Sequence, residues 1–429
     1  MDNNSIRFAG DVNVEKVIIT SNNGMTVDVK NQIIGIEIYE DIFSPFTSGS
    51  LIFKESLDYA NLIPLTGEEY LHLKIRTPSF EGKDKVIEGD YYLYKMTDRE
   101  LQGDRNVIYK LHFVSVEALV DLNKKVSKAF QGKISDIAKK LITDINDGLE
   151  SKQNVIVQET PNSVKYISNF WSPVKNLNYL CGNAVNNRDG ASYVFFQNRN
   201  GFNFVSLESL YYNENKQNFI FDSWLRDFTP DGKNVRNVEK EYQRIIDINI
   251  PNAYDQIDSI RSGMGASKLI TYDITTKRYA SKNYDMLTEF YSHNHLNQYP
   301  LISKKNVRKS FSNIVVSTKY YNNFSKYGDV TNTRTVNKRM SELRQAEGVK
   351  LEITVAGRTD YTAGMKVGVR LNKNEPISKQ DTDYYDKMFS GNYIVAAVNH
   401  FISRENHECT MELIKDSYTV NLDNGGRTQ

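Results

Sequence analysis

One three-strand pattern is written twice in this chain, and few folds accommodate that. "GEEYLHLKIRTP" (67–78) is followed, after a polar loop, by "GDYYLYKMTDRE" and then "VIYKLHFVS". "AGMKVGVRLNKN" (363–374) is likewise followed by "GNYIVAAVNHFI" and then "ECTMELIKD". Gly89-Asp90-Tyr91 corresponds to Gly391-Asn392-Tyr393, each triplet opening a long strand. Tyr70, His72, Lys74 and Arg76 oppose Leu71, Leu73 and Ile75, a period-two alternation with one buried face. The same alternation recurs in Val349, Leu351, Ile353 and Val355, in Met365, Val367, Val369 and Leu371, and in Cys409, Met411 and Leu413. The pattern reads as two versions of one β-barrel, the second interrupted by a large insertion.

The rest of the chain fills in around this repeat. "VEKVIIT" and "MTVDVK" flank Asn23-Gly24, a hairpin turn signal, and "IIGIEIYEDI", "GSLIFKES" and "VIYKLHFVSVEAL" read as further strands. Helical spacing then takes over in "KISDIAKKLITDI" (133–145), with Ile134, Ile137, Ala138, Leu141, Ile142 and Ile145 on one face. A second helix is expected from Pro173 with Ser172 as its cap, then a hairpin turning at Asn200-Gly201. A further helix is expected near 281–292, and a short basic one within 329–348.

The expected fold is mainly β with α+β parts: two similar tube-type β-barrel domains in one chain, a small α+β domain and a mixed insertion domain. The boundaries expected are 1–124 for the first barrel and 125–215 for the α+β domain. The second barrel takes 216–250 and 346–418, the insertion 251–345, and a flexible tail 419–429. A chain of 429 residues with 39% hydrophobic and 25% charged residues supports such a division. No apolar run spans a bilayer, and the polar start "MDNNSIRFAGD" does not read as a secretory signal, so cytoplasmic synthesis is expected. Cys181 and Cys409 form neither a disulfide framework nor a CxxC pair. A net charge of +1 argues against a general nucleic-acid binder.

Two barrels per chain carry a physical consequence: three such chains in a ring place six barrels around a threefold axis. Here the sequence resembles a known family, the central baseplate hub protein of contractile-tailed bacteriophages. The stretches that carry the resemblance are "IEIYEDIFSPFTSGSLIFKES", "WSPVKNLNYLCGNAVNNRDGASYVFFQNRNGFNFVSLESL" and "TAGMKVGVRL…SGNYIVAAVNHFISRENHECTMELIKDS". The resemblance implies a structural virion protein of the tail baseplate, assembled in the host cytoplasm. It implies a homotrimeric hub adapting a sixfold tail tube to a threefold spike, without cofactor. Its partners would be the tail tube protein, the surrounding baseplate proteins, a tape-measure protein and a spike, with DNA only as passing cargo. No needle-type repeat follows the last barrel strand, so the spike is expected to be a separate chain.

Enzyme motifs are weak by comparison. His293-Asn294-His295 lacks the spread of an HNH nuclease and reads as a solvated loop or helix end. His72, His112, His400 and His407 have no HExxH-type spacing and read as structural or surface residues. "GMGASK" (263–268) lacks a phosphate-loop ending, and "DTDYYD" (381–386) lacks the glycine and distal Glu of a calcium loop. Arg334, Lys338, Arg339 and Arg344, with Glu342 and Glu347, fit an exposed, salt-bridged helix at least as well as a nucleic-acid contact. No catalytic, cofactor or metal residue is assigned. The rival function is a tail-associated cell-wall (peptidoglycan) hydrolase, which needs two carboxylates across a cleft. A secreted carbohydrate-binding β protein is a third, disfavoured by the missing signal and disulfides.

Overall fold

The computed structural model describes residues 6–55, 65–80, 82, 85–102, 106–221, 227–228, 234–235, 237–273, 277–303, 313–319, 336–373, 385–404 and 406–424. Arg334, Asp381, Asp383 and the end of the expected tail lie outside them. The first repeat is built from β1 (Asn13–Thr20), β2 (Thr26–Asp28), β3 (Ile33–Asp41), β4 (Ser48–Glu55), β5 (Tyr70–Arg76), β6 (Val86–Gln102) and β7 (Asn106–Ser115). Gly24 at φ +81° closes the β1–β2 hairpin, a geometry that glycine enters at little cost. The expected strand "VIYKLHFVSVEAL" ends earlier than its sequence suggested. Val116–Asn123 is helix, and the Ser115 hydroxyl bonds the Glu117 carboxylate where the chain turns.

The middle of the chain folds as β8 (Val126–Lys133), β9 (Val155–Val157), β10 (Ser163–Trp171), β11 (Tyr193–Asn198) and β12 (Gly201–Ser206) with two helices. Ile134–Thr143 buries Ile134, Ile137, Ala138, Leu141 and Ile142. It stops short of Ile145, which is exposed, because the Asp144 carboxylate turns back to accept the Asn146 amide at 2.8 Å. Pro173–Asn183 starts as expected, with Ser172 Oγ accepting from the Lys175 amide. The β11–β12 turn is Arg199-Asn200, one residue earlier than read: Asn198 pairs with Gly201. Gly201 has φ +116°, and a Cβ there would lie 2.1 Å from the Asn154 carbonyl oxygen.

The second repeat begins with β13 (Gln217–Phe221), the short pair β14 (Asp227–Phe228) and β15 (Asn234–Val235), and β16 (Ile245–Asn252). Between β16 and the rest lie β17 (Ala266–Asp273), β18 (Arg278–Asp285), β19 (Tyr299–Pro300), β20 (Asn313–Lys319) and the helix Val336–Ala346. The helix expected at 281–292 is only Met286–Phe290. Residues before it pair with β17, and Asp285 caps Leu287 and Thr288. Then come β21 (Val349–Ala356), β22 (Lys366–Leu371), β23 (Gly391–Ser403), β24 (His407–Lys415) and β25 (Ser417–Tyr418).

The protein is mostly β. The two repeats are parts of one thirteen-stranded sheet, ordered β16-β21-β24-β23-β3-β4-β7-β6-β5-β1-β2, with β22 on β23 and β13 on β22. The join is β23. Its first half, Gly391–Ile394, pairs with β22, and its second half, Ala397–Ser403, pairs with β3. A bridge between Ile220 and Arg244 brings β13 back to the start of β16, closing the second repeat on itself. Each repeat has its own apolar core, one around Leu71, Leu73, Leu93, Leu111 and Phe113, the other around Val367, Val369, Val395, Met411 and Leu413.

Candidate functional site

The two repeats agree residue by residue in their pairing. Leu73 faces Gly89 and Leu71 faces Tyr91; Val369 faces Gly391 and Val367 faces Tyr393. Leu93 faces Phe113 as Val395 faces Leu413, and each long strand bulges next, at Tyr94 and at Ala396. Leu51 faces Leu111 as Ile353 faces Met411. At the edge, Ile33, Gly35, Ile36 and Glu37 of β3 match Ile245, Asp247, Ile248 and Asn249 of β16, including a bulge after the first residue. Bulges re-aim a strand and do not recur in register by packing alone. The strand order of the first repeat, β3-β4-β7-β6-β5-β1, is thus repeated by β16-β21-β24-β23-β22-β13.

Equivalence fails where the repeats meet. The second half of β23 pairs with β3, setting Ile402 against Ile36, both wholly buried. The matching half of β6 has β7 on one side but no strand on the other beyond Tyr92, among the described residues. Leu101, which matches Ile402, is 80% exposed. β16, which matches β3, has β21 as its one partner along its length among the described residues, and Ile246 and Ile250 are exposed. Two strand edges with exposed apolar side chains therefore lie at equivalent positions.

Polar groups lock the seam between the repeats. Glu40, fully buried, accepts from the Arg199 amide at 2.7 Å, Thr362 Oγ1 at 2.6 Å and the Ala363 amide at 3.0 Å, while burial pushes its carboxyl pKa up. Thr77 and Thr359 exchange backbone-to-hydroxyl bonds of 3.1 and 3.0 Å. Arg358 forks onto Asp360 and lies over the rings of Phe80, Tyr242 and Tyr361. Beside them His400, His407 and Cys409 converge, all wholly buried. Burial drives the His400 ring down to about 3 and His407 well below its ordinary value, and pushes the Cys409 thiol up. The sequence reading missed this grouping. Its one local signal is the His407-x-Cys409 spacing, since His400 arrives from the partner strand.

A cleft of about 740 Å³ opens between the first repeat and the middle of the chain, lined by Glu40, His72, Asp90, Glu117, Glu150 and Arg199 among others. Its carboxylates are engaged: Glu117 holds Ser115, Ser151 and Gln153, and Asp90 meets His72 at 2.7 Å. His293 and His295 are not solvated, contrary to the sequence reading. His295 stacks on Phe290 at 3.7 Å and bonds Asp416 at 2.6 Å, which raises its pKa against the effect of burial. His293 lies 3.8 Å from Glu208, whose carboxyl is lowered to about 2 despite burial by the nearby His293 ring and by bonds from the Asn294 amide and Asn186. The basic helix is not an exposed salt-bridged one either. Its Asn337, Lys338, Ser341 and Gln345 are buried, and Arg339 donates to the carbonyls of Cys181, Ala191 and Tyr193 at 3.1, 2.9 and 2.7 Å. Arg344 and Glu347 keep the expected surface role, Arg344 lying 3.6 Å from both Asp258 and Glu347. His72 sits on the polar side of its strand, and His112 bonds Thr97 at 2.9 Å.

This architecture is a fold found in solved tail proteins. It matches the tail protein from Neisseria meningitidis MC58 with a TM-score of 0.53 and 12% identity, over 94% of this chain and 98% of that one. The 43 kDa tail protein of prophage MuSo2 from Shewanella oneidensis is similar at TM-score 0.52 and 8% identity, over 94% and 98%. No family model and no curated protein sequence matches the chain.

Proposed function

We propose that the protein is a non-enzymatic structural component of a virion tail, a baseplate hub that closes as a ring of three chains. The observation that carries this reading is the register-matched repeat with unpaired edges at equivalent positions. Inside one chain, β23 of the second repeat pairs with β3 of the first. By the same equivalence, β6 of one chain pairs with β16 of the next. Leu101 then faces Ile248 as Ile402 faces Ile36, Glu100 faces Asn249 as Phe401 faces Glu37, and Gln102 faces Asp247 as Ser403 faces Gly35. Each pairing buries an apolar edge and satisfies its backbone groups. Three chains give six near-equivalent barrels about a threefold axis.

Such a ring is a symmetry adaptor, sixfold toward a tail tube and threefold toward a separate central spike, with other baseplate proteins around it. The likeness in fold to two tail proteins supports this assignment. Residues 1–124 and 216–250 with 346–418 would serve as the tube-type barrels. Residues 125–215 and the insertion 251–345 would face the spike or the surrounding baseplate.

Light scattering on the purified chain tests the reading. Wild type is expected at about 148 kDa, three chains of 49.3 kDa, and Leu101→Asp as a folded single chain. A wild-type monomer at every concentration would overturn the ring. Clearing of peptidoglycan by the purified protein would overturn the non-enzymatic assignment.

A further inference from the structure

We propose that His400, His407 and Cys409 form a zinc site at the join of the two repeats. His400 and Cys409 are directly opposed across β23 and β24, and His407 lies two residues before Cys409 on the same strand. Alternation along a strand therefore puts all three side chains on one face. His400 Nδ1 lies 3.0 Å from His407 Nε2, and Cys409 Sγ lies 3.2 and 3.4 Å from these two nitrogens. The circle through the three atoms has a radius of about 1.9 Å. An ion about 1 Å above their plane thus lies about 2.1 Å from each, close to ordinary Zn–N and Zn–S lengths of about 2.0–2.3 Å.

The donor set is two imidazole nitrogens and one thiolate, which suits zinc and disfavours magnesium or calcium. Hydrogen bonding serves the same three atoms less well. At best one ring N–H donates to the thiol sulfur and the S–H donates to the other ring nitrogen, a chain of two weak bonds. An ion accepts all three donations at once. Binding replaces the S–H bond by a zinc–sulfur bond and releases one proton to solvent. The charge left is one positive unit, and Asp360, Glu40 and Glu408 all act on Cys409 with a favourable sign. Arg199 opposes them at His400. Three protein ligands leave one position for water.

Room has been made for the cluster. A Cβ on Gly357 would lie 2.3 Å from the His407 ring, and the Gly357 amide donates to the His407 carbonyl at 2.7 Å. The His407 amide donates to the Gly10 carbonyl at 2.8 Å, so the N-terminal segment holds the His407 backbone while Gly357 packs on its ring. The ion would staple β23 to β24 within the half of β23 that pairs with β3, where His400 faces Ile38.

The test uses the full chain refolded from denaturant with cobalt(II) or zinc, since the site is closed in the native state. The expected result is one metal per chain by elemental analysis, a thiolate-to-cobalt charge-transfer band, and a melting temperature lowered when refolding includes a chelator. Cys409→Ser should lose the band, and Cys181→Ser should keep it. If Cys409→Ser does not fold, the wild-type spectrum still decides. A folded wild type with no stoichiometric metal, no band and no chelator effect would reduce the cluster to a buried polar network and overturn the proposal. Uptake of copper(I) with exclusion of zinc would overturn the assignment of the metal.

Discussion

The two repeats share strand order, most of their register and two bulges, although β6 bulges again between Thr97 and Glu100 and β16 between Asn249 and Asn252, and they spend the same positions differently. In the first, Tyr109 stacks on Phe53 with ring centroids 5.4 Å apart and planes within 1°. In the second, the matching pair is Cys409 opposite Val355, and Val107 is matched by His407. A flat aromatic stack became a small thiol with two imidazoles beside it. Opposite Tyr91 the first repeat has Ser115, whereas in the second a buried Lys415 lies over the Tyr393 ring. The outermost strand even reverses: β1 runs antiparallel to β5, while β13 runs parallel to β22. What persists is pairing geometry, and what varies is how the space behind it is filled. Pairing geometry is also what a ring of alternating repeats would have to preserve.

The largest expected contrast is at the joins. Ile402→Asp places a charge in the buried seam and should cost on the order of 4 kcal/mol or more, read by denaturant unfolding. Leu101→Asp, at the matching but exposed place, should leave single-chain stability within about 0.5 kcal/mol while abolishing assembly. Equal stability losses in both would break the distinction between internal seam and outer edge. Next in size is the core. Phe53→Ala should cost about 3–5 kcal/mol, and Val355→Ala roughly 2 kcal/mol, because fewer buried atoms are removed.

A separate, pH-dependent contrast concerns Lys415. Burial pushes its ammonium down to about 7, although it donates to the Met388 carbonyl at 2.5 Å and lies over Tyr393 and Tyr418. The unfolded chain holds that proton to about pH 10.4, so it binds the extra proton between the two values. The lysine's contribution to stability is therefore full above about pH 10.4 and is lost as pH falls toward 7. Lys415→Met should remove that pH dependence, in urea melts compared with wild type across this window. The first repeat, with Ser115, has no counterpart to remove. An unchanged pH profile in Lys415→Met would show that the ammonium stays charged in its carbonyl and ring cage.

Much of this was legible before any coordinates. Period-two alternation identified the buried faces of β5, β21, β22 and β24, because one-sided burial leaves a mark on every second residue. Ser172-Pro173 announced a helix start by local chemistry alone. Sequence could not show that β23 divides its two halves between β22 and β3, since strand partners are chosen by contacts distant along the chain. Arg339 looked solvated because charge usually is, but the carbonyls of Cys181, Ala191 and Tyr193, brought together by the fold, hold it instead. The His400–His407–Cys409 group was hidden for a similar reason: one member comes from the neighbouring strand.

The central claim is that β6 and β16 of adjacent chains repeat the pairing of β23 and β3. Leu101→Cys with Ile248→Cys tests it most directly, because paired residues across a sheet fall within disulfide reach. After mild oxidation, the double variant should run as a covalent species of three chains that reduction returns to one, and neither single variant should do so. Oxidised double variant that stays at 49.3 kDa, or that builds an open ladder without stopping at three, would contradict the ring.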